Sequence, residues 1–567
     1  LSLLNFNVKL AVTDRASEII ITLFIFCFAS LCFHQVTDDY AFYMSSLAAR
    51  QYSDFAYFDV HFQGFIGIRE VYKFLYYLLP RINWHYIFMI AYQVTSLYLV
   101  LRALRFVVLK NIKSNVLIRI VQIFFALFYI DNIAFVSHTR VSLIFCGIAL
   151  FNLAFTKVLS HKKFFFNGLL FIFGMLLRPE SSLGMLCMVG LGFFTYTFDL
   201  VGLFKRIWIP ILATAVFLLI FTIDLTHTDL YIRRVEPEIE YKMMAKMLVD
   251  LSQMKTAKDS VKYEAATVGM WFDMKEITPE FMRNMILAGS ELSIRHTKEV
   301  LVHIVSFYAY YPFIPAVIIA LLILVFSFLP DRGIRIIKII LFQLCVACII
   351  YGLDCNGFLV SYRHFMSLQF IALIISCFYF FDAPVFRFGR NKSITVLLVF
   401  CILTAGIMQT MSNYVRENIA TDHKVTEMVQ TMNKFEQKYT NRIVAISIDS
   451  RFLFDQHFSL TNKTYQKNTY IMFDWFTFPL TPRYIDYMSR KCQCDYNDPV
   501  ALFKWFSDNK VIYIASPYRY NLLKRYMKIV HGCDVNFDKK EKINDLCNIQ
   551  NEETDRDQIT IIRLGTN

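Results

Sequence analysis

The chain has 567 residues, of which 56% are hydrophobic, 17% aromatic and only 18% charged. Soluble proteins carry about 25% charged residues, so an ordinary soluble globular chain is excluded. The net charge of +13 does not point to nucleic acid, because much of the excess Lys and Arg lies in short segments between apolar runs, where it orients a membrane protein.

Apolar runs of about 18 residues or more, enough to cross a hydrocarbon core of ~30 Å, recur through residues 1–411. They predict a polytopic α-helical membrane protein with about eleven transmembrane helices. Lys9 and Arg15 precede the first run, 19–36, and put the N-terminus in the cytoplasm. Asp38, Asp39 and an aromatic segment follow it, not a small-residue cleavage site, so it reads as a membrane helix and not as a cleaved signal. An external loop, 37–83, comes next. Its stretches 40–52 and 65–79 mix apolar and charged residues at helical spacing and read as amphipathic helices in the interface. Asp54, Asp59, His61 and Gln63 lie between them.

Further membrane helices are expected at 84–104, 116–136, 141–159, 164–177, 182–198 and 207–223. A polar insertion, 224–298, is rich in Met, Ala, Lys and Glu and reads as helical and, by alternation, external. Helices at 300–329, 336–353, 365–381 and 393–411 complete the set, the first long enough to tilt or to lie partly in the interface. Each loop assigned to the cytoplasm is short and basic, as with Lys205 and Arg206 or Arg332, Arg335 and Lys338. The acidic pair, His138, Arg178 and Arg363 all fall on the other side.

From residue 412 the apolar runs shorten and charge rises. Stretches 442–448, 511–515 and 558–564 read as strands, and 500–507 and 520–530 as helices. Residues 412–567 are therefore expected to form a C-terminal extracytoplasmic α/β domain. Cys492, Cys494, Cys533 and Cys547 suit disulfides in an oxidising compartment, with the pairing open. Zinc suits them less well, since paired C-x2-C units are missing. Asn462-Lys463-Thr464 is a formal glycosylation sequon.

Three clusters could carry chemistry. Asp38 and Asp39 stand at the water end of the first helix, where a charge costs far less than the about 2.5–3.5 kcal/mol at the bilayer centre. They are either a solvated helix end, Asp being a common N-cap, or catalytic carboxylates within reach of a lipid headgroup. Arg178-Pro179-Glu180 is either a snorkelling Arg beside a Pro break or a phosphate-binding guanidinium oriented by Glu180. Tyr362-Arg363-His364 is either an interfacial anchor or a second phosphate contact at the positive end of a helix. His138 and Arg140 form a further cationic pair, and His61 could join with Asp54 and Asp59. Together these put two carboxylates and several cations on one surface. A lipid-linked phosphosugar needs that combination: cations to stabilise the leaving phosphate and a carboxylate to take the proton of the attacking hydroxyl.

In this order the motifs resemble the GT-C membrane glycosyltransferases. The resemblance rests on Asp38-Asp39 opening a first external loop with amphipathic helices, on Leu176-Leu177-Arg178-Pro179-Glu180 closing a middle helix, and on Tyr362-Arg363-His364-Phe365-Met366 opening a late one. It covers residues 1–411, and an external α/β tail also occurs in the group. It implies a polyprenyl-phosphate sugar donor, transfer on the outer face with inversion, Asp38 or else Asp39 as base, and Arg178 and Arg363 as donor-phosphate ligands. The acceptor, whether glycan, lipid or protein, is not implied. Some relatives use a divalent metal and others none, so Mg or Mn stays open; two vicinal carboxylates would need further oxygen ligands. The insertion 224–298 departs from the simplest pattern. The rival reading is a transporter or flippase of a lipid-linked substrate, which expects ionisable groups inside the bundle. The expected location is a bacterial inner membrane, with the site and tail periplasmic; an endoplasmic reticulum membrane is the alternative.

Overall fold

The computed structural model describes residues 2–32, 36–37, 71, 74–79, 82–112, 114–136, 138–157, 160–227, 256–267, 273, 276, 281, 301–302, 304–309, 311–329, 331–355, 362–382, 394–409, 434–435, 437–446, 469–472, 489–490, 493–495, 498–515, 517–535, 537–542 and 560–564. It is a mostly helical structure. α1 (Ser2–Cys32) leads to β1 (Val36–Thr37). α2 (Trp84–Ala103) starts where the Asn83 side chain accepts from the Tyr86 N–H, and it runs on into a π turn, Leu104–Val108. Ser114 caps α3 (Asn115–Phe128), which is followed by α4 (Ile130–Ala134) and β2 (Phe135–Val136). Next come α5 (His138–Phe155), α6 (His161–Leu177), α7 (Pro179–Thr197) and α8 (Leu200–His227). After α9 (Ala257–Thr267) come α10 (Phe313–Phe328), α11 (Arg332–Cys355), α12 (Tyr362–Phe381) and α13 (Ile394–Gln409).

Five described helices are long and apolar enough to cross a membrane: Trp84–Val108, Asn115–Ala134, Leu200–Phe217, Arg332–Gly352 and His364–Phe381. Four shorter apolar helices accompany them: Thr139–Phe155, Ser182–Thr197, Phe313–Phe328 and Ile394–Gln409. Only 28% and 22% of the apolar windows of α8 and α11 are buried inside the protein, against 94% for α12. Apolar faces left outward in this way suit lipid as solvent, so α12 is the centre of the bundle and α8 and α11 are its rim.

Two expected helices are interrupted, 300–329 and 116–136. The run 300–329 breaks at Tyr311 and Pro312, where α10 begins; proline has no N–H to continue the ladder. The expected helix 207–223 is continuous, and the helical segment 200–206 that precedes it in α8 joins it through a kink at the non-helical Ile207, one turn before Pro210, whose ring crowds the preceding turn. The run 116–136 divides into α3, α4 and β2. Of the two amphipathic stretches, 40–52 lies outside the described residues. In the second, residues 74–78 are helical. There Phe74, Tyr77 and Leu78 are exposed while Tyr76 is buried, its hydroxyl donating to Asn83 Oδ1 at 3.3 Å.

Close packing joins α5 to α6. A Cβ on Gly174 would lie 2.7 Å from Cys146 Sγ and 3.1 Å from Cys146 N. Small residues allow such approach between membrane helices. Gly174→Ala is expected to push the two helices apart and to cost about 1–3 kcal/mol, read as a lower unfolding temperature in detergent.

One end of the bundle is tied by charge. Asp382, just after α12, pairs with Lys110 at 2.9 Å and Lys157 at 3.5 Å and accepts from the Tyr196 hydroxyl. Lys338 donates to Tyr196 O and Arg335 to Tyr379 O, both at 2.5 Å. Lys110, Arg335 and Lys338 belong to segments that the sequence assigns to a single side, whereas Lys157 falls within the expected helix 141–159. Glu18 of α1 is buried, 3.9 Å from Arg105 and within reach of Gln122 Nε2 at 3.4 Å.

The C-terminal part contains a five-stranded sheet of order β4-β3-β5-β7-β6. β3 (Ile443–Ile446) runs parallel to β4 (Thr469–Met472) and β5 (Ile512–Ala515). β7 (Thr560–Leu564) is antiparallel to β5 and to β6 (Phe537–Lys542). Two helices, α14 (Pro499–Asp508) and α15 (Pro517–His531), flank β5 in sequence. α9 of the insertion packs on α15. Arg525 pairs with Glu264, and buried Asp273 accepts from the Tyr526 hydroxyl at 2.8 Å and meets His531 Nε2 at 2.6 Å. Burial, and then Asp273 itself, push the Tyr526 phenol well above its ordinary value, so it stays a donor. No disulfide joins Cys494 to Cys533; Cys492 and Cys547 lie outside the described residues.

Candidate active site at one end of the bundle

The two-residue strands bring distant segments together. Val36 pairs with Phe135 and Thr37 with Val136, in parallel. Thr37 is the residue before Asp38, and Val136 stands two residues before His138. Asp38, Asp39 and His61 themselves lie outside the described residues.

The segment after β2 also reaches Arg178. Arg178 links α6 to α7 with extended backbone, φ −157° and ψ 102°. The cause is local: a residue before proline is kept out of the helical region, and Pro179 then suits the first turn of the new helix. The half-buried Arg178 side chain donates through Nη1 to Thr139 Oγ1 at 2.7 Å. Its carbonyl accepts from Ser142 Oγ at 3.1 Å, a hydroxyl that also reaches Gly174 O at 2.8 Å. α5, α6 and α7 thus hold Arg178 beside the β1–β2 junction.

Arg140 is buried and already engaged. Its Nη1 donates to Asp131 Oδ2 at 2.5 Å and to Asp131 O at 2.9 Å, and it also interacts with the Tyr311 hydroxyl. In this arrangement Arg140 braces α4 against α5. His138 is the first residue of α5, Glu180 the second of α7, and Tyr362 and Arg363 the first two of α12; the side chains of these four lie outside the described residues. Half-buried His364 follows them. Its neighbour Phe365 stacks on Phe307 at 5.0 Å and on Tyr311 at 6.3 Å, which links α12 to the residue that meets Arg140.

Sequence reasoning missed Asp131, Asn132 and Gln93, all buried here. A usable signal existed, because a carboxylate inside an apolar run is a functional marker by default. Among the described residues no group of three or more His, Cys, Asp or Glu side chains could hold a metal ion. Comparison of the sequence with protein-family models finds no match, and comparison with curated proteins finds none.

Proposed function

We propose that the protein is a membrane glycosyltransferase that moves a sugar from a polyprenyl-phosphate donor to an acceptor on the extracytoplasmic face of the membrane. The reading includes a GT-C-like arrangement of about eleven spans and an extracytoplasmic C-terminal domain. The observation that carries it is the meeting of three segments: Thr37 on Val136 and Arg178 on Thr139. Both contacts fall within residues 136–139, so the chain entering the acidic pair and the leading phosphate-binding candidate share one short anchor.

The chemistry is a single in-line displacement at the anomeric carbon. Asp38, or Asp39, takes the proton of the acceptor hydroxyl. The C–O bond to the phosphate breaks as the new glycosidic bond forms, and polyprenyl phosphate leaves as an anion. Arg178, with Arg363 and His364, stabilises that charge. A planar guanidinium suits phosphate oxygens in a way an ammonium does not. A divalent metal, Mg or Mn, would add to the same role.

The experiment is sugar transfer by purified protein in lipid, from a panel of polyprenyl-phosphate sugars, with and without chelator. Arg178→Lys is expected to retain the fold and to lose donor affinity about tenfold or more, in line with a charge-assisted contact of about 1.5–3 kcal/mol. Unchanged donor kinetics in that variant would remove Arg178 from the phosphate site, and loss of turnover with chelator would add a metal.

One observation favours a transporter or flippase instead. Glu18 and the Asp131–Arg140 pair are ionisable groups inside the bundle, the placement expected along a substrate path. That reading predicts donor binding without release of polyprenyl phosphate.

A further inference from the structure

We propose that an anionic phospholipid from the leaflet on the side of the basic loops docks on the bundle, its phosphate on Lys157, Lys338 and Arg335 and an acyl chain along α7 between α8 and α11. Four cations gather at this end around Asp382 and Tyr196. Lys110 and Lys157 lie 2.9 and 3.5 Å from Asp382 Oδ1, and the Tyr196 hydroxyl donates to the other carboxylate oxygen. Lys338 Nζ stands 5.1 Å from the centre of the Tyr196 ring and 5.7 Å from that of Phe198. Arg335 donates to the carbonyl of Tyr379, whose ring stacks on Tyr196 at 5.4 Å.

One carboxylate thus faces four cations. The last turns of α7 and α12, whose carbonyls Lys338 and Arg335 reach, supply only about half a negative charge each. The next acids along the chain, Asp199 and Asp331, stand at the N-termini of α8 and α11, where the helix dipole offsets them. The excess positive charge is open to a ligand. The Lys157 side chain is 67% exposed, and Lys338 and Arg335 are half-buried. An ammonium has three donors and a guanidinium five, and one carbonyl takes up only one in each of Lys338 and Arg335.

The surface beside the cations is apolar. Leu183, Cys187, Leu191, Phe194 and Phe198 follow at three- or four-residue intervals and share one face of α7. Leu183, Cys187 and Phe198 are exposed. The neighbouring helices stand on the two flanks of that face: a Cβ on Gly190 would lie 3.6 Å from Leu203 of α8, and one on Gly192 3.1 Å from Phe342 of α11. The stripe runs roughly 22 Å, more than half of a ~30 Å hydrocarbon core. An anionic phospholipid supplies both the negative charge and the apolar cover. A zwitterionic lipid brings no net charge, and a free phosphate ion covers no apolar surface. The seat is one helix length from Arg178, which precedes α7 at its other end.

The test uses full-length protein, delipidated in detergent, and reads binding from thermal unfolding as lipid is titrated. Wild type should bind phosphatidylglycerol about tenfold or more tightly than phosphatidylcholine. Lys157→Gln with Lys338→Gln removes two charges and keeps a donor for the Tyr196 carbonyl. Its affinity for phosphatidylglycerol should fall about tenfold or more, ~1.4 kcal/mol. Lys162→Gln with Lys163→Gln removes two exposed cations of α6, outside the cluster, and should bind as wild type does. Equal losses in the two double variants would reduce the effect to diffuse charge and overturn the site. Equal binding of both lipids by wild type, or full displacement of phosphatidylglycerol by inorganic phosphate, would overturn it as well. If the cluster variant fails to fold, Lys157→Gln alone, at an exposed side chain, carries the same reading: weaker phosphatidylglycerol binding supports the site, and wild-type affinity overturns it.

Discussion

Asp38→Asn is expected to lower turnover by about 10²–10⁴-fold, the range that general acid–base catalysis supplies, while donor binding is retained. Asparagine keeps the shape and hydrogen-bonding reach of aspartate but cannot accept a proton at neutral pH. The lipid phosphate is recognised by cations, so its affinity should not depend on the base. Asp39→Asn should be the milder change. The reverse ranking would move the role of base to Asp39, and full activity in both variants would remove the carboxylate pair from the chemistry. Initial rates with saturating donor, paired with an equilibrium binding measurement, separate these outcomes.

Asp131→Ala should lower stability by about 3–5 kcal/mol, because it leaves the Arg140 guanidinium buried without its counter-ion. The two side chains are 1% and 5% exposed and 2.5 Å apart, so solvent does little to screen the loss. Removing both charges should cost much less: Asp131→Leu with Arg140→Met replaces the pair by apolar groups, a change that is often neutral. The contrast between the single and the double variant, read by thermal unfolding in detergent, isolates the pair from the methylenes around it. A single variant as stable as wild type would mean that water reaches the pair. The effect reaches the site as well, since Arg140 follows Thr139, the partner of Arg178.

Much of the bundle was legible because apolar length and loop charge are both strong signals. Lys110, Arg335 and Lys338 fall in segments assigned to one side from the sequence, and they converge on Asp382, Tyr196 and Tyr379; Lys157, which joins them on Asp382, reads in the sequence as part of the helix 141–159. The break at Arg178-Pro179 was legible too, since proline constrains itself and the residue before it. What was not legible depends on partners distant in sequence. The β1–β2 pair has two residues per strand, too short for any alternation. Asp131 was legible as a lone carboxylate inside an apolar run and was passed over, while its pairing with Arg140 shows only in the fold. β6, with the sequence FDKKEK, has no apolar alternation and is a strand because β7 pairs with it. Pro312 stands in the sequence, but the excess length of 300–329 was read as tilt and the proline was passed over. The reading of Asp38 and Asp39 rests on the chain around them: Thr37 is anchored, and the acids come next.

The most direct test of sugar transfer uses sealed vesicles carrying the purified protein and a polyprenyl-phosphate sugar with labels on both the sugar and the lipid. The account predicts that the two labels part: polyprenyl phosphate accumulates as the sugar label moves to an acceptor, and Asp38→Asn stops the separation. Labels that stay together while the intact lipid crosses to the other leaflet would contradict the enzyme and establish a flippase.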